Sequence, residues 1–374
     1  MKLTCTKENL GRVLSLVSGV AGKQTNLPIL EHVMITASES KVECVATNLE
    51  MAVKAVVRAK VDEVGTFTVP AKTLSEYVAL LRGDQVMLSV EGNELLVESG
   101  NSKTRIKGAA SDEFPVFPEV EDGTVYSILA EPYADALKKV LISVSKNDVR
   151  PELSGVYCGF FTNRFAGLVM AGTDSYRLSE KMISVVSGAD ERRFILPART
   201  AAEVVRLISV PKDGEGESVV RICVTDNQIL FRYNSFELTS RLVEGKYPDY
   251  TQIIPETHRT TALLPVENVV NEVKAAGIFS TTGVNAVLFD IKPDDHTVSI
   301  ASESMQRGAH AATVDAEVTG ENVSILLNHR YVLDGLAHIE TDDVSVGLNG
   351  ADMPCVFRPK GKQDFLYIVM PIRK

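Results

Sequence analysis

What most limits how this chain can fold is one pattern of residues, written three times at intervals of about 130 positions. Pro70-Ala71-Lys72, Pro197-Ala198-Arg199 and Asn328-His329-Arg330 each follow a short β-branched or aliphatic run: Phe67-Thr68-Val69, Phe194-Ile195-Leu196 and Ile325-Leu326-Leu327. Each is followed by apolar residues at helical spacing: Leu74, Tyr77, Val78 and Leu81; Ala201, Val204, Val205 and Ile208; Val332, Leu333, Leu336 and Ala337. Two alternating strands then flank a tight turn at Gly92-Asn93, Asp226-Asn227 and Asn349-Gly350. Solenoid units repeat every few tens of residues, so a period this long is that of a domain. The pattern predicts three copies of one domain.

At 374 residues the chain is long enough for two or three domains, each with its own core. A 45% hydrophobic and 24% charged composition is that of a folded soluble protein and excludes a disordered one. The start, Met1 to Glu8, lacks the apolar stretch of a signal peptide, and no run is long enough to span a bilayer. The five cysteines are scattered among strand residues and read as small buried hydrophobes in a reducing cytoplasm.

Each repeat is expected to open with an amphipathic helix: Leu10, Val13, Leu14 and Val17; Tyr133, Leu137, Val140 and Leu141; Val266, Val269, Val270 and Val273. Strands follow, among them the alternation Val53, Ala55, Val57 and the run Val287 to Ile291. Pro, Gly and acidic residues cluster at Pro115–Thr124 and Pro248–Thr257, which sets the boundaries at residues 1–122, 123–255 and 256–374. Two helices beside a many-stranded sheet, three times over, is an α+β architecture with the helices on one face. The six helix windows hold ten basic and eight acidic residues, while the whole chain carries a net −10. Helices facing one way would form a near-neutral to weakly basic surface on an acidic protein; mixed charge on solvated helices gives the same count.

Catalytic signatures are absent. The chain has no G-x-x-x-x-G-K-[ST], H-E-x-x-H, C-x-x-C or G-x-S-x-G, and its six histidines show no ligand spacing. Gly214-Glu215-Gly216-Glu217 carries acids that would repel phosphate and reads as a loop, and Asp294-Asp295 and Asp342-Asp343 read as solvated turns between strands. No metal or cofactor is expected. Two segments look built for recognition instead: Ala171 to Leu178, with its Tyr176-Arg177-Leu178 ending, and the chain end from Phe365 through Met370-Pro371-Ile372 to Lys374.

Over essentially its whole length the chain resembles the bacterial DNA polymerase III β subunits, the sliding clamps. The residues carrying the resemblance are Leu27-Pro28-Ile29-Leu30 and Ala46-Thr47-Asn48-Leu49-Glu50-Met51, then Gly172-Thr173-Asp174-Ser175-Tyr176-Arg177-Leu178 and Tyr247-Pro248-Asp249-Tyr250. The third repeat adds Tyr331-Val332-Leu333-Asp334 and Val369-Met370-Pro371-Ile372-Arg373. The resemblance implies a non-catalytic protein: three tandem DNA-clamp domains, paired head to tail with a second copy in a closed ring of twelve helices around duplex DNA. It implies sequence-independent DNA contacts at Lys23, Gln24, Lys146, Asn147, Arg150 and Arg199. Gln24 stands where relatives often have arginine, and Pro151 and Glu152 where some have tyrosines.

The family also docks peptides of the type Gln-Leu-x-Leu-Phe from the replicative polymerase, the clamp-loader ATPase and other partners. The resemblance assigns one subsite to Leu153, Thr173, Ser175, Tyr176, Arg177, Leu178, Pro248 and Ile253. The other falls to Asn328, Tyr331, Met353, Pro354, Met370, Pro371, Ile372 and Arg373, with Ile368 and Val369 beneath. Ser175-Tyr176, Gln252 and Lys374 depart from some relatives. Ile106, Ile278 and Phe279 match the apolar dimer interface, and Gly108, where some relatives are larger, implies a looser dimer. An alternative from another class is a hydrolase or carbohydrate-active enzyme using Asp174 with a second carboxylate such as Asp249.

Overall fold

A computed structural model describes residues 1–22, 27–115, 120, 122–147, 149–210 and 218–373. The first repeat runs β1 (Lys2–Thr6), α1 (Lys7–Val17), β2 (His32–Ala37), β3 (Val42–Thr47), β4 (Met51–Val57), β5 (Ala59–Glu63), β6 (Gly65–Pro70), α2 (Ala71–Leu80), β7 (Gln85–Glu91), β8 (Glu94–Ser99) and β9 (Ser102–Lys107). The second runs β10 (Thr124–Leu129), α3 (Ala130–Leu141), β11 (Gly155–Thr162), β12 (Phe165–Thr173), β13 (Arg177–Ile183), β14 (Arg192–Pro197), α4 (Ala198–Ile208), β15 (Val219–Val224), β16 (Gln228–Tyr233) and β17 (Phe236–Arg241). The third runs β18 (Thr260–Pro265), α5 (Val266–Ile278), β19 (Ala286–Lys292), β20 (Thr297–Ser304), β21 (Gly308–Asp315), β22 (Glu317–Thr319), β23 (Val323–Asn328), α6 (His329–Leu336), β24 (Asp343–Leu348), β25 (Cys355–Pro359) and β26 (Phe365–Val369).

Each repeat therefore runs strand, helix, four strands, helix, three strands, with one extra short strand between the helices in the first (β5) and third (β22) repeats. Each repeat opens with a strand, not with a helix as the sequence pattern led us to expect. β6, β14 and β18 all end on proline, which has no N–H for the ladder and a φ already suited to a helix start. Thr6 and Asn328 cap α1 and α6 by accepting from Asn9 N (3.2 Å) and Arg330 N (3.0 Å). The turn expected at Asn349-Gly350 is a longer connection, residues 349–354. Ala337, expected on the apolar stripe of α6, is exposed, and Ile339 is buried beyond it.

Strands of neighbouring repeats share sheets, and the chain's contacts gather into two compact units whose division runs through the middle repeat. One unit comprises Met1–Ala134, Val185–Ala189 and Arg199–Leu242. It holds a sheet of order β5-β1-β7-β8-β9 and another of order β10-β15-β16-β17-β4-β3-β2-β6. Here α1 packs on α2 and across β3 and β4, burying Leu10, Val13, Leu14 and Val17. The other unit comprises Asp135–Ser184, Asp190–Ala198 and Val243–Lys374, with sheets of order β14-β11-β12-β13-β26-β25-β24-β18-β22 and β21-β20-β19-β23. There α5 packs on α6 and on β18 to β21, over a core that includes Val269, Val273, Phe289, Ile325, Val332 and Tyr367. The five cysteines are free thiols, all buried except Cys223, which is partly exposed.

Candidate protein-docking groove and DNA surface

The groove begins at the hairpin joining β12 to β13. Thr173 Oγ1 donates to Arg177 O (2.7 Å) and accepts from Ser175 N (3.1 Å), while Asp174 Oδ1 accepts from Tyr176 N and Arg177 N (both 3.0 Å). This frame holds Ser175 at φ 76, where a short polar residue costs less than a bulky one. Gly172 supports it from behind, since a Cβ there would sit 2.4 Å from Val140 O at the end of α3. Arg177 points out of the hairpin, only 9% exposed. Its Nε donates to Asp174 Oδ2 (3.0 Å), its Nη1 to Asp334 Oδ2 on α6 (2.5 Å), and its guanidinium lies 4.4 Å from the Tyr331 ring centre. Burial disfavours that charge, yet Tyr367, Asp334 and Asp174 outweigh it and hold the arginine's pKa above its ordinary value.

The chain end forms the opposite wall. β26 pairs with β13 antiparallel, Val369 opposite Arg177, and the chain then leaves the ladder at proline. Met370 N donates to Tyr176 O and Ile372 N to Leu326 O, both at 2.8 Å. Between hairpin, α6 and chain end lies a cavity of about 570 Å³, walled by Ser175, Tyr176, Val284, Asn328, Tyr331, Asp352, Met370, Pro371, Ile372 and Arg373. Eight of these were expected from the sequence; Val284 and Asp352 sit in turns that carry no such signal.

The remaining expected pocket residues fall into two groups. Leu153, Thr173, Leu178, Ile368 and Val369 are buried and do not line the cavity. Leu153, Leu178 and Ile368 join Tyr247 and Tyr250 in one apolar cluster, with Met370 packed on it. Met353 is exposed and Pro354 half-buried, but neither is part of this wall. Pro248 lines a separate cavity, and Ile253 sits half-exposed in the 3-10 turn Tyr250–Ile253.

Of the expected DNA contacts, Lys23 and Gln24 lie outside the described residues. Lys146, Asn147 and Arg150 share one exposed loop after α3. Asn147 Oδ1 accepts from Val149 N (3.0 Å), and Arg150 Nε donates to Glu152 Oε1 (2.9 Å), which cancels much of that cation's charge. Arg199, exposed at the start of α4, faces Glu50 at 3.3 Å. Several helix cations are unavailable to a ligand. Lys139 is buried between Asp135 and Glu340 (2.7 Å each), and Arg206 donates to Ser15 O (2.8 Å) and Leu16 O (2.5 Å) at the end of α1.

The expected dimer residues sit at one free sheet edge and beside another. Ile106 lies on edge strand β9 but is only 6% exposed, so its side chain belongs to its own core. Ile278, at the end of α5, is 64% exposed, and Phe279 stacks on His310 of edge strand β21 with centroids 5.9 Å apart. Gly108 answers to its own fold: a Cβ would meet Thr68 O at 2.2 Å.

The carboxylates proposed for an enzyme are committed elsewhere. Asp174 builds the hairpin, and Asp249 caps a 3-10 turn, accepting from Thr251 N, Thr251 Oγ1 and Gln252 Nε2 at 3.2, 2.6 and 3.0 Å. Asp294 and Asp295 occupy a turn between β19 and β20, whereas Asp343 begins β24 and pairs with Lys360 (2.8 Å). Gly214 to Glu217 lie outside the described residues. Among those described, no group of three or more His, Cys, Asp or Glu is placed to hold a metal, and no helix is long and apolar enough to cross a membrane.

Comparison with known proteins places this geometry. Solved structures of the DNA polymerase III β subunits from Thermotoga maritima and Pseudomonas aeruginosa each superpose with a TM-score of 0.93. The first is 26% identical and covers 100% of this chain and 99% of that one; the second is 25% identical with 100% of both covered. The fold is that of the DNA clamps. Domain models described as the N-terminal, central and C-terminal domains of the DNA polymerase III beta subunit match residues 1–118, 128–249 and 251–373. A beta sliding clamp from Synechocystis sp. is 27% identical over 395 aligned residues, covering 100% of this chain and 99% of the relative. The chain belongs to the bacterial DNA polymerase III β subunit family, the sliding clamps of DNA replication, and the enzyme alternative finds no support.

Proposed function

We propose that two copies of this chain close head to tail into a ring around duplex DNA and hold replication partners by the groove at the chain end. The observation that carries the ring is a repeated strand pairing. The last strand of repeat two, β17, lies antiparallel to β4 of repeat one, with Ser240 opposite Met51. The last strand of repeat three, β26, lies antiparallel to β13 of repeat two, with Val369 opposite Arg177. The same rule leaves the last strand of repeat one, β9, and the corresponding strand of repeat three, β21, each at a sheet edge. A second copy satisfies both at once and removes two open edges. Carrying the pairing over brings the end of β9, around Ile106, of one copy to the start of β21, around Gly308, of the other. Beside Gly308, Arg307 Nη1 donates to Ile278 O (3.2 Å), so the exposed Ile278 would come to the joint.

Three domains at 1–122, 123–255 and 256–374 then make six in the ring. Weak, sequence-blind contacts at Lys23, Gln24, Lys146, Asn147, Arg150 and Arg199 suit a protein that must slide. A clamp gripping about 6–10 phosphates would lose roughly 10³–10⁵ in affinity between 50 and 200 mM salt and would stay where it bound. The pairing of Arg150, Arg199, Lys139 and Arg206 supports the weaker lining. The protein has no catalytic role of its own in this reading, acts in the cytoplasm, and is retained by topology.

For partners, apolar walls receive the Leu and Phe side chains of a Gln-Leu-x-Leu-Phe peptide, while Asn328 and Arg373 hold its polar groups. Each anchor contributes about 1.5–3 kcal/mol on burial. Three anchors give about 4.5–9 kcal/mol before association costs, so binding is no tighter than about micromolar, which lets the polymerase, the clamp loader and other partners exchange. The test is to load the protein on nicked circular DNA with a clamp-loader ATPase and then linearise. Retention on circles with loss from free ends is expected; equal release from both removes the ring. Deleting residues 370–374 should abolish peptide and polymerase binding and leave the dimer, and normal partner binding after deletion refutes the groove.

A further inference from the structure

The groove at the chain end has two charged residues in its wall, Asp352 and Arg373. The other carboxylates close to the hairpin are spent on the fold. Asp174 accepts from Tyr176 N, Arg177 N and Arg177 Nε, and Asp334 accepts from Arg177 Nη1. Even the Asn328 side-chain oxygen is taken, by Arg330 N. Asp352 is uncommitted: it makes no hydrogen bond or ion pair with another described residue, Arg373 included. Its backbone is nevertheless held. Asp352 sits in the connection between β24 and β25, and both ends of that connection are pinned. At one end Asn349 Oδ1 accepts from Arg259 N and Asn349 Nδ2 donates to Thr257 O, both at 2.8 Å. At the other, Cys355 pairs with Val369 of β26, the residue before Met370 of the groove wall. Between them Met353 N donates to Gly350 O (3.4 Å). A carboxylate carried on an anchored turn gives up less backbone entropy when a cation meets it. Much of the wall is apolar, with Val284, Met370, Pro371 and Ile372, so water screens a charge there less than in open solvent.

We propose that Asp352 makes the groove selective for partner peptides that carry a lysine or arginine next to their apolar anchors. The proposal rests on the groove reading and adds a rule for which peptides bind best. A metal ion fits the same carboxylate less well. Divalent cations take several oxygen ligands, and among the described residues no group of three or more His, Cys, Asp or Glu is placed to supply them. A peptide cation needs only the one carboxylate, because the apolar anchors hold the rest of the ligand.

The chain has no tryptophan, so peptides tagged with one report their own binding. The peptides share the Gln-Leu-x-Leu-Phe core and differ only in carrying Lys, Ala or Glu before Gln, at x, or after Phe. At one position at least, Lys should bind about two- to fivefold more tightly than Ala, the range of an exposed ion pair, and Glu more weakly than Ala. That Lys-to-Ala ratio should shrink as salt is raised. In Asp352→Asn it should fall to one, and in Asp352→Lys it should invert, whatever happens to the absolute affinities. Asp295→Asn removes the same charge from the turn at the other end of β19 from Val284 and should keep the wild-type ratio. A wild-type ratio of one at all three positions, or a ratio that survives Asp352→Asn, overturns the proposal. So does an equal fall in Asp295→Asn, which would trace the preference to the protein's net charge of −10. If the Ala peptides themselves fail to bind, the groove reading falls and takes this proposal with it. If they bind and charge makes no difference, this proposal falls alone.

Discussion

Replacing Ile278 with aspartate tests the ring at its most exposed apolar residue. Full burial of an isoleucine side chain is worth about 1.5–3 kcal/mol, and Ile278 is 64% exposed in the single chain, so covering it contributes about 1–2 kcal/mol per joint. A two-copy ring has two joints, and dissociation to single chains opens both, giving about 2–4 kcal/mol. The aspartate adds the cost of desolvating a carboxylate, partly offset by the neighbouring Arg307, so the dimer Kd should rise about 10²-fold. Sedimentation velocity over a concentration series measures this directly. Thermal unfolding of the single chain should hardly change, because the side chain is mostly outside its own core. A variant that stays dimeric at the wild-type Kd would refute the pairing of β9 with β21.

Arg177→Met keeps the side chain's length and removes its charge. It breaks bonds to Asp174 and Asp334, and because Asp334 is half exposed the loss should be about 1–3 kcal/mol, below the 3–5 of a fully buried pair. Denaturant titration gives the stability change, and peptide affinity should fall with it as the hairpin loosens. Thiol chemistry checks the core: burial pushes Cys5 up to about 11 and Cys44 up to about 12, and raises Cys158 and Cys355 as well. With thiolate so disfavoured near pH 8, a disulfide reagent should modify Cys223 alone in the native protein and all five cysteines in denaturant; fast native reaction of more than one thiol contradicts this packing.

Much of the fold was legible because it is local. Apolar spacing in α1 to α6, proline at strand ends and short turns such as Gly92-Asn93 are read within a few residues of each other. The strands that open each repeat were missed because five or six residues such as Leu3 and Cys5 on β1 alternate too briefly to stand out beside the helix that follows. Pairings such as β17 with β4 join residues nearly two hundred positions apart, and no local pattern encodes them. The same limit governs the groove. Its hairpin and chain end carry recognisable residues, whereas Val284 and Asp352 enter its wall only because the fold brings two ordinary turns there. Ile106 shows the reverse: its type fits an interface, and only its burial shows that strand β9, more than this side chain, faces outward.

The hairpin in the groove has a twin that separates architecture from function. Thr47 Oγ1 donates to Met51 O (3.0 Å) and accepts from Leu49 N (2.9 Å), Asn48 Oδ1 accepts from Glu50 N and Met51 N (3.0 and 2.9 Å), and Leu49 takes φ 73. Thr173 and Asp174 make the same bonds and hold Ser175 at φ 76, so the left-handed residue comes with the repeat and is no mark of a binding site. Thr47→Val and Thr173→Val preserve shape in two buried threonines and remove one hydroxyl each. Each loses two hydrogen bonds and strands a backbone group, about 2 kcal/mol in total. Stability should therefore fall equally in both. Peptide affinity should fall only in Thr173→Val, because only that turn carries a wall of the groove. Equal losses of affinity would mean that the peptide is not held at Ser175 and Tyr176, and unequal losses of stability would mean that the two turns are not built by the same bonds.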